Sequence, residues 1–158
     1  MRLSFVETMR GAVRDARGIA HPICFEVSAE GGGGGRFALR GIAKAPPWAR
    51  EAAARGTLTI APRARTITYA LRFEAEAGGE VTLEAQKRLS LLAPLRSLTT
   101  MPVTVRGPAG EALARGEMSF DLRGIVPFLA SWLPAARAQA RRLDVRRRAV
   151  ERARLRGA

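Results

Sequence analysis

Three ionisable side chains, Glu7, His21 and Lys87, fall on faces of predicted strands that are otherwise apolar. Successive side chains of a strand point to opposite faces, so each of the three shares a face with apolar neighbours. A carboxylate or ammonium group buried there loses its hydration unless a partner or a water replaces it. Because a few polar groups in an apolar cavity orient a bound ligand, the pattern predicts a site with Glu7 and Lys87 as polar anchors.

The competing interpretation places these charges at strand ends, where they reach solvent. His21 begins its predicted strand and Lys87 ends another, whereas Glu7 lies within a strand. Glu7 is then a ligand anchor, one half of a buried pair with Lys87 or an arginine, or the general base of a small enzyme. Inward-facing aromatic residues either line the same site or form plain core. These residues are Phe5, Phe25, Tyr69 and Phe73.

Strong catalytic, metal and cofactor motifs are missing from the sequence. One histidine and one cysteine, Cys24, do not supply the ligand spacing of a metal site or a disulfide framework. Cys24 lies on the opposite face from His21, which argues against a nucleophilic dyad. The five glycines at 31–35 lack the Lys-Ser/Thr and the helix of a phosphate-binding loop, and no GxGxxG opens a Rossmann pattern. We therefore predict a chain without a metal or cofactor.

The candidate site residues lie on or beside eight short runs in which apolar and polar residues alternate, each bounded by Gly or Pro. Their hairpin-length connections favour a meander, and closure of a long meander removes its two edges. We predict a mainly β fold, a lipocalin-like antiparallel up-and-down barrel of about eight strands, which is wide enough for packed side chains or one small ligand. A curved sheet of six or seven strands on the terminal helix is the alternative. The predicted strands span 3–9, 21–29, 36–44, 57–61, 66–74, 81–87, 99–106 and 111–121.

Two helices are predicted outside these strands. Pro47, the alanine-rich run behind it and Gly56 predict a short helix near residues 47–55. The barrel domain is expected to occupy residues 1–123. Residues 124–158 are expected to form an apolar segment and a basic α-helix that packs on the barrel or projects from it.

The formal charge of +13 is concentrated at the C-terminus, where residues 124–158 carry nine Arg against two Asp/Glu, a net +7. Such a segment attracts an acidic protein or an anionic membrane. No aromatic residue interleaves with these arginines, which argues against nucleic acid. The Arg bias of the whole chain favours a plain solvated surface over a docking surface. The candidate docking residues are Arg141, Arg142, Arg146, Arg147, Arg148 and Arg152.

The N-terminal segment is too short and too charged for a signal peptide. No run approaches the ~18 apolar residues of a membrane span. The expected location is the cytoplasm of a bacterium. The basic segment also suggests a peripheral position on a membrane as the alternative.

Several short motifs along residues 3–133 carry a family resemblance. They are Phe5-x-Glu7-Thr8-Met9-x-Gly11, Gly56-x-Leu58-x-Ile60, Ile67-x-Tyr69-x-Leu71-x-Phe73, Gly79-Glu80-Val81-Thr82-Leu83 with Lys87, Gly110-x-x-Leu113-Ala114-x-Gly116 and Phe120-Asp121. With them the chain resembles a small β-barrel domain that accompanies cholesterol-oxidase-like GMC flavoprotein oxidoreductases. The resemblance implies a role beside the oxidation or transport of lipid-like alcohols, without flavin of its own. The five-glycine run and the basic segment depart from the pattern.

Three functions stay open at this point. The first is a non-catalytic, lipocalin-like barrel that holds a hydrophobic small molecule such as a lipid, sterol or polyketide. The second is an accessory interaction protein with a solid core, whose basic helix docks an acidic partner, nucleic acid or an anionic membrane. The third is a small isomerase or cyclase that uses Glu7 as its base. Whether the barrel is hollow or solid separates the first two.

Overall fold

The computed structural model describes residues 3–31, 34–61, 63–88 and 100–120, and these form a closed barrel of eight antiparallel strands. Each strand pairs with the next along the chain, and β8 pairs with β1. The predicted mainly β, antiparallel up-and-down barrel is confirmed, and the closure excludes the open curved sheet. The strands are β1 (Leu3–Asp15), β2 (Ala20–Gly31), β3 (Arg36–Ala45), β4 (Ala49–Ala61), β5 (Thr66–Glu74), β6 (Glu80–Arg88), β7 (Thr100–Arg106) and β8 (Ala112–Phe120).

Because apolar and polar residues alternate, the apolar face of each strand points into the barrel. In β5, Tyr69, Leu71 and Phe73 are buried whereas Arg72 and Glu74 are exposed. Removing one large apolar side chain from water contributes about 1.5–3 kcal/mol. The core of the fold is therefore the barrel interior itself.

The short helix predicted near residues 47–55 is wrong, because β4 begins at Ala49 and continues to Ala61. An alanine-rich run of this length is too short to overcome the cost of nucleating a helix on its own. In the barrel its backbone pairs with β3 on one side, and from Ala54 onward also with β5 on the other. The pairing with two strands outweighs the weak helical preference of alanine.

At two inward-facing glycines the backbone of a neighbouring strand leaves no room for a Cβ atom. A Cβ atom on Gly56 would lie 1.9 Å from the carbonyl oxygen of Ala70, and one on Gly11 would lie 2.1 Å from that of Glu117. Glycine inside a strand is typical of such close approaches of backbone. Gly11 therefore lies within β1, which runs on to Asp15, although the sequence predicts that the strand ends there.

Four short connections, residues 16–19, 46–48, 75–79 and 107–111, lie at one end of the barrel, which we call the turn end. Two of them are tied together. The backbone N–H of Glu76 donates to the carbonyl of Trp48 at 2.8 Å, and the N–H of Arg50 donates to Oε1 of Glu76 at 2.9 Å. At the opposite end, which we call the N-terminal end, β1 begins and β8 finishes.

The chain divides into two units, Met1–Gly124 and Ile125–Ala158, and the barrel belongs to the first. The predicted basic C-terminal helix and its six candidate docking arginines lie outside the described residues. Within the described part of the chain, no helix is long and apolar enough to cross a membrane.

Candidate functional site

Glu7 and Tyr69 meet inside the barrel. The Tyr69 hydroxyl lies 3.0 Å from Oε1 and 2.9 Å from Oε2 of Glu7. A phenol has a single proton, so an ionised carboxylate receives it as a hydrogen bond shared between both oxygens. Glu7 is 1% exposed and Tyr69 is fully buried. The predicted burial of Glu7 is thus observed, and a phenol hydroxyl partners its carboxylate.

This hydrogen bond spans the barrel from wall to wall. Glu7 lies on β1 and Tyr69 on β5, which are four strands apart in either direction around the closed sheet. Two side chains on opposite strands can touch only if both reach toward the barrel axis. The protein's own side chains therefore occupy the interior at this level.

Aromatic rings pack around this pair and through the interior. The ring of Tyr69 lies against that of Phe120, with centroids 4.7 Å apart and planes tilted by 35°. Aromatic contacts at such distances are favourable beyond the area they bury. The other predicted lining residues also contact rings on other strands. These edge-to-face pairs are Phe5 with Phe37 at 5.6 Å and Phe25 with Phe73 at 5.9 Å.

Burial raises the pKa of Tyr69 well above its ordinary value of 10.0, and the charge of Glu7 raises it further. Both effects disfavour the phenolate, since it would place a second negative charge beside the first in a region without solvent. Tyr69 is therefore a neutral hydrogen-bond donor at physiological pH.

Tyr69 is the one tyrosine of the chain, so its ionisation can be followed alone by ultraviolet absorbance. We expect the folded chain to show no phenolate signal at about pH 10, the ordinary midpoint for tyrosine. The signal should appear only when alkali or denaturant unfolds the barrel. A reversible titration near pH 10 in a chain that circular dichroism shows to be folded would contradict the burial of Tyr69.

Lys87 lies toward the N-terminal end of the barrel. It is the register partner of Ile67, one inward position nearer that end than Ala85, the partner of Tyr69. Its half-buried ammonium group donates a hydrogen bond to the backbone carbonyl of Thr100 on β7. The structure thus places Lys87 one inward layer from the buried pair, with a backbone carbonyl as its neighbour.

His21 belongs to a separate cluster at the turn end. Its Nε2 lies 3.0 Å from Oδ2 of Asp15, and its ring packs edge-on against Trp48 with centroids 5.8 Å apart. Asp15 is eight residues beyond Glu7 along β1, a separation of about 25 Å. The structure therefore does not bring His21 to the Glu7–Tyr69 pair.

The Asp15 carboxylate closes the β1–β2 turn. It accepts hydrogen bonds from the backbone N–H groups of Arg17 at 2.9 Å and Ile19 at 3.0 Å. The hydrogen bond to His21, with these backbone bonds, lowers the pKa of Asp15 from 3.8 to about 2. The cluster is built to stabilise a turn around an ionised carboxylate.

This depressed pKa predicts a stability change at acid pH. Because the folded pKa is below the unfolded one, the contribution of Asp15 is fully present above about pH 4 and is lost as the pH falls toward about 2. Asp15→Asn should flatten this part of the curve, measured as urea midpoints from about pH 5 to about pH 2. Identical slopes for wild type and Asp15→Asn would contradict the assignment.

Two contacts of the site are missing from the sequence predictions. Phe120 lies two residues after Met118 in β8, so both side chains face inward. The alternation in the sequence indicates this inward direction, but it does not indicate that Phe120 contacts Tyr69. Asp15 lies beyond the predicted end of β1, so its bond to His21 could not be inferred. Among the described residues, no group of three or more His, Cys, Asp or Glu side chains is placed to hold a metal ion.

Comparisons with protein-family models, with curated proteins and with solved structures give no match.

Proposed function

We propose that this chain is a non-catalytic accessory module, in which the barrel is a solid core and the surface docks an acidic partner protein. The observation that carries the proposal is the hydrogen bond between Glu7 and Tyr69 across the barrel interior. A carboxylate that is already bonded on both oxygens and shielded from solvent is poorly placed to meet a substrate or a ligand.

Burial along all eight strands supports a solid core. At least one large inward side chain of every strand is at most 1% exposed, so solvent does not reach the spaces between them. Side chains packed to this degree leave little volume for a separate ligand. The eight are Met9, Phe25, Leu39, Leu58, Leu71, Leu83, Met101 and Met118.

The charge of the C-terminal segment and the family resemblance of the barrel motifs support the choice of partner. The net charge of +7 over residues 124–158 favours an acidic surface and speeds association with it. The barrel motifs resemble domains that accompany GMC flavoprotein oxidoreductases. The partner is then a flavoprotein acting on lipid-like alcohols, which supplies the flavin and the redox chemistry.

A capture experiment with the full chain tests this function. We expect the immobilised chain to retain an acidic protein with flavin absorbance from an extract of its source cells, and to release it at high salt. Neutralising three arginines of the basic segment should abolish retention, whereas neutralising three exposed arginines of the barrel should not. The first variant is Arg146→Gln, Arg147→Gln, Arg148→Gln, and the control is Arg36→Gln, Arg88→Gln, Arg115→Gln.

Two results would contradict the proposal. One is that all the proteins retained by the immobilised chain lack flavin. The other is equal retention by wild type and by the variant of the basic segment. Stronger binding of the wild-type chain to phosphatidylglycerol vesicles than to any flavoprotein would assign the segment to an anionic membrane instead.

A second function, a carrier of a hydrophobic small molecule, is favoured by the chemistry of the same pair. A carboxylate and a phenol lie together among apolar side chains, and Lys87 is one inward layer away toward the N-terminal end. In a barrel that opens at this end, such a group would orient the polar head of a lipid. Substitutions at Glu7 or Tyr69 would then weaken ligand binding as well as stability.

A further inference from the structure

Three arginines stand in direct register on the outer surface of neighbouring strands. Arg40 on β3 is opposite Arg55 on β4, and Arg55 is opposite Arg72 on β5. Strands are spaced about 4.8 Å apart, so the three Cα atoms span about 10 Å. Like charges directly opposite each other destabilise a sheet. A row of three cations is therefore explained better by an anion that binds them than by the stability of the barrel.

The row borders a groove of about 370 Å³ on the outer surface. Its floor is formed by Ala38, Thr57 and Ala70, which are in register across the same three strands. Small side chains leave room for a ligand beside the arginines, and the Thr57 hydroxyl adds a hydrogen-bond donor. The groove thus has three arginines along one side and small side chains at its floor.

Carboxylates bound the floor of the groove on both sides. Glu30 on β2 is the register partner of Ala38, and Glu84 on β6 is the register partner of Ala70. A flat anionic membrane over the groove, or a polyanion along its floor, would meet both carboxylates, whereas uncharged residues of β2 and β6 flank the arginine row itself. A compact anion would contact the arginines alone, so the charge pattern favours a small ligand.

Glu80 contacts two of the three arginines. Its Oε2 lies 3.6 Å from Nη2 of Arg55, and its Oε1 lies 3.8 Å from Nη1 of Arg72. These separations exceed those of good hydrogen bonds, and the side chains are exposed, so the two ion pairs are weak. An anion of higher charge would compete with Glu80 for these guanidinium groups.

We propose that Arg40, Arg55 and Arg72, together with Thr57, bind a small oligophosphate with two or three linked phosphate groups. Guanidinium groups bind phosphate oxygens through paired hydrogen bonds. The row extends about 10 Å across three strands, farther than the oxygens of one phosphate extend, so linked phosphate groups match it better than a single phosphate. The site lies on the outer surface and is independent of the proposed function of the chain.

Calorimetric titration of the full chain with inorganic tripolyphosphate tests this site. We expect one ion to bind per barrel and Arg55→Gln to weaken binding by about tenfold, the loss expected for a charge-assisted contact. Glu80→Gln should strengthen binding, a gain that damage to the fold would not produce. Arg115→Gln, at an exposed arginine on β8, should leave the affinity within about twofold.

The proposal is overturned if Arg55→Gln binds tripolyphosphate as tightly as wild type, because the ion then binds elsewhere, for example at residues 124–158. It is also overturned if single-stranded DNA or phosphatidylglycerol vesicles compete more strongly than tripolyphosphate in a manner that depends on Arg55. Inorganic monophosphate should bind more weakly than tripolyphosphate, and the reverse order would exclude an oligophosphate as the ligand.

Discussion

Gly56→Ala is expected to destabilise the barrel by about 3 kcal/mol or more, a large part of the 5–15 kcal/mol that holds a typical domain folded. The new Cβ would lie 1.9 Å from the carbonyl oxygen of Ala70 and 2.9 Å from the Cα atom of Leu71. Both are backbone atoms, so no side-chain rotation relieves the contact. β4 and β5 must then move apart, which disturbs the hydrogen bonds between them.

Chemical unfolding followed by circular dichroism measures this loss. Alanine restricts the unfolded chain more than glycine does, so without the steric contact Gly56→Ala would be neutral or stabilising. Gly34→Ala is the matched control, because no atom lies within 4 Å of its Cβ position, and it should stay within about 0.5 kcal/mol of wild type. Equal stability of Gly56→Ala and wild type would show that the strands are not as close as described.

Tyr69→Phe is expected to cost about 2–3 kcal/mol, the penalty for removing a donor from a buried charged acceptor. The substitution keeps the ring that packs against Phe120 and deletes only the hydroxyl that bonds Glu7. Thr59→Val, which removes an exposed hydroxyl from the outer surface of β4, should change stability by less than about 0.5 kcal/mol.

A double-mutant cycle with Glu7→Leu, which removes the acceptor oxygens, isolates the interaction itself. We expect a coupling free energy of at least about 1 kcal/mol between positions 7 and 69, since the two side chains are in direct contact. Additive losses would show that the hydroxyl and the carboxylate do not interact, and would remove the main support for a bridged interior.

The sequence predicts the barrel best where strand alternation and turn residues agree. β5 is predicted with its observed bounds because alternating apolar residues end close to Gly78-Gly79. β4 is predicted too short because residues 49–55 contain no β-branched residue, and this composition predicts a helix. The sequence predicts a strand end at Gly11 because the approach of β8, which makes glycine necessary there, is a long-range contact.

The same limit applies to the site. The alternation of side chains along β1 is enough to predict that Glu7 is buried, since it determines which face of the strand a residue occupies. Its partner Tyr69 could not be predicted, because contact across the barrel depends on how the closed sheet is staggered. His21 has the inward parity of Ile23, yet its position at the start of β2 places it in the turn cluster with Asp15.

The proposed solid interior of the barrel is tested most directly by titrating the delipidated full chain with an environment-sensitive fluorescent fatty acid. A barrel bridged by Glu7 and Tyr69 predicts no saturable increase in fluorescence at one probe per chain. Saturable one-to-one binding that is lost in Tyr69→Phe and retained in Thr59→Val would contradict the solid core and would make the chain a carrier of hydrophobic ligands.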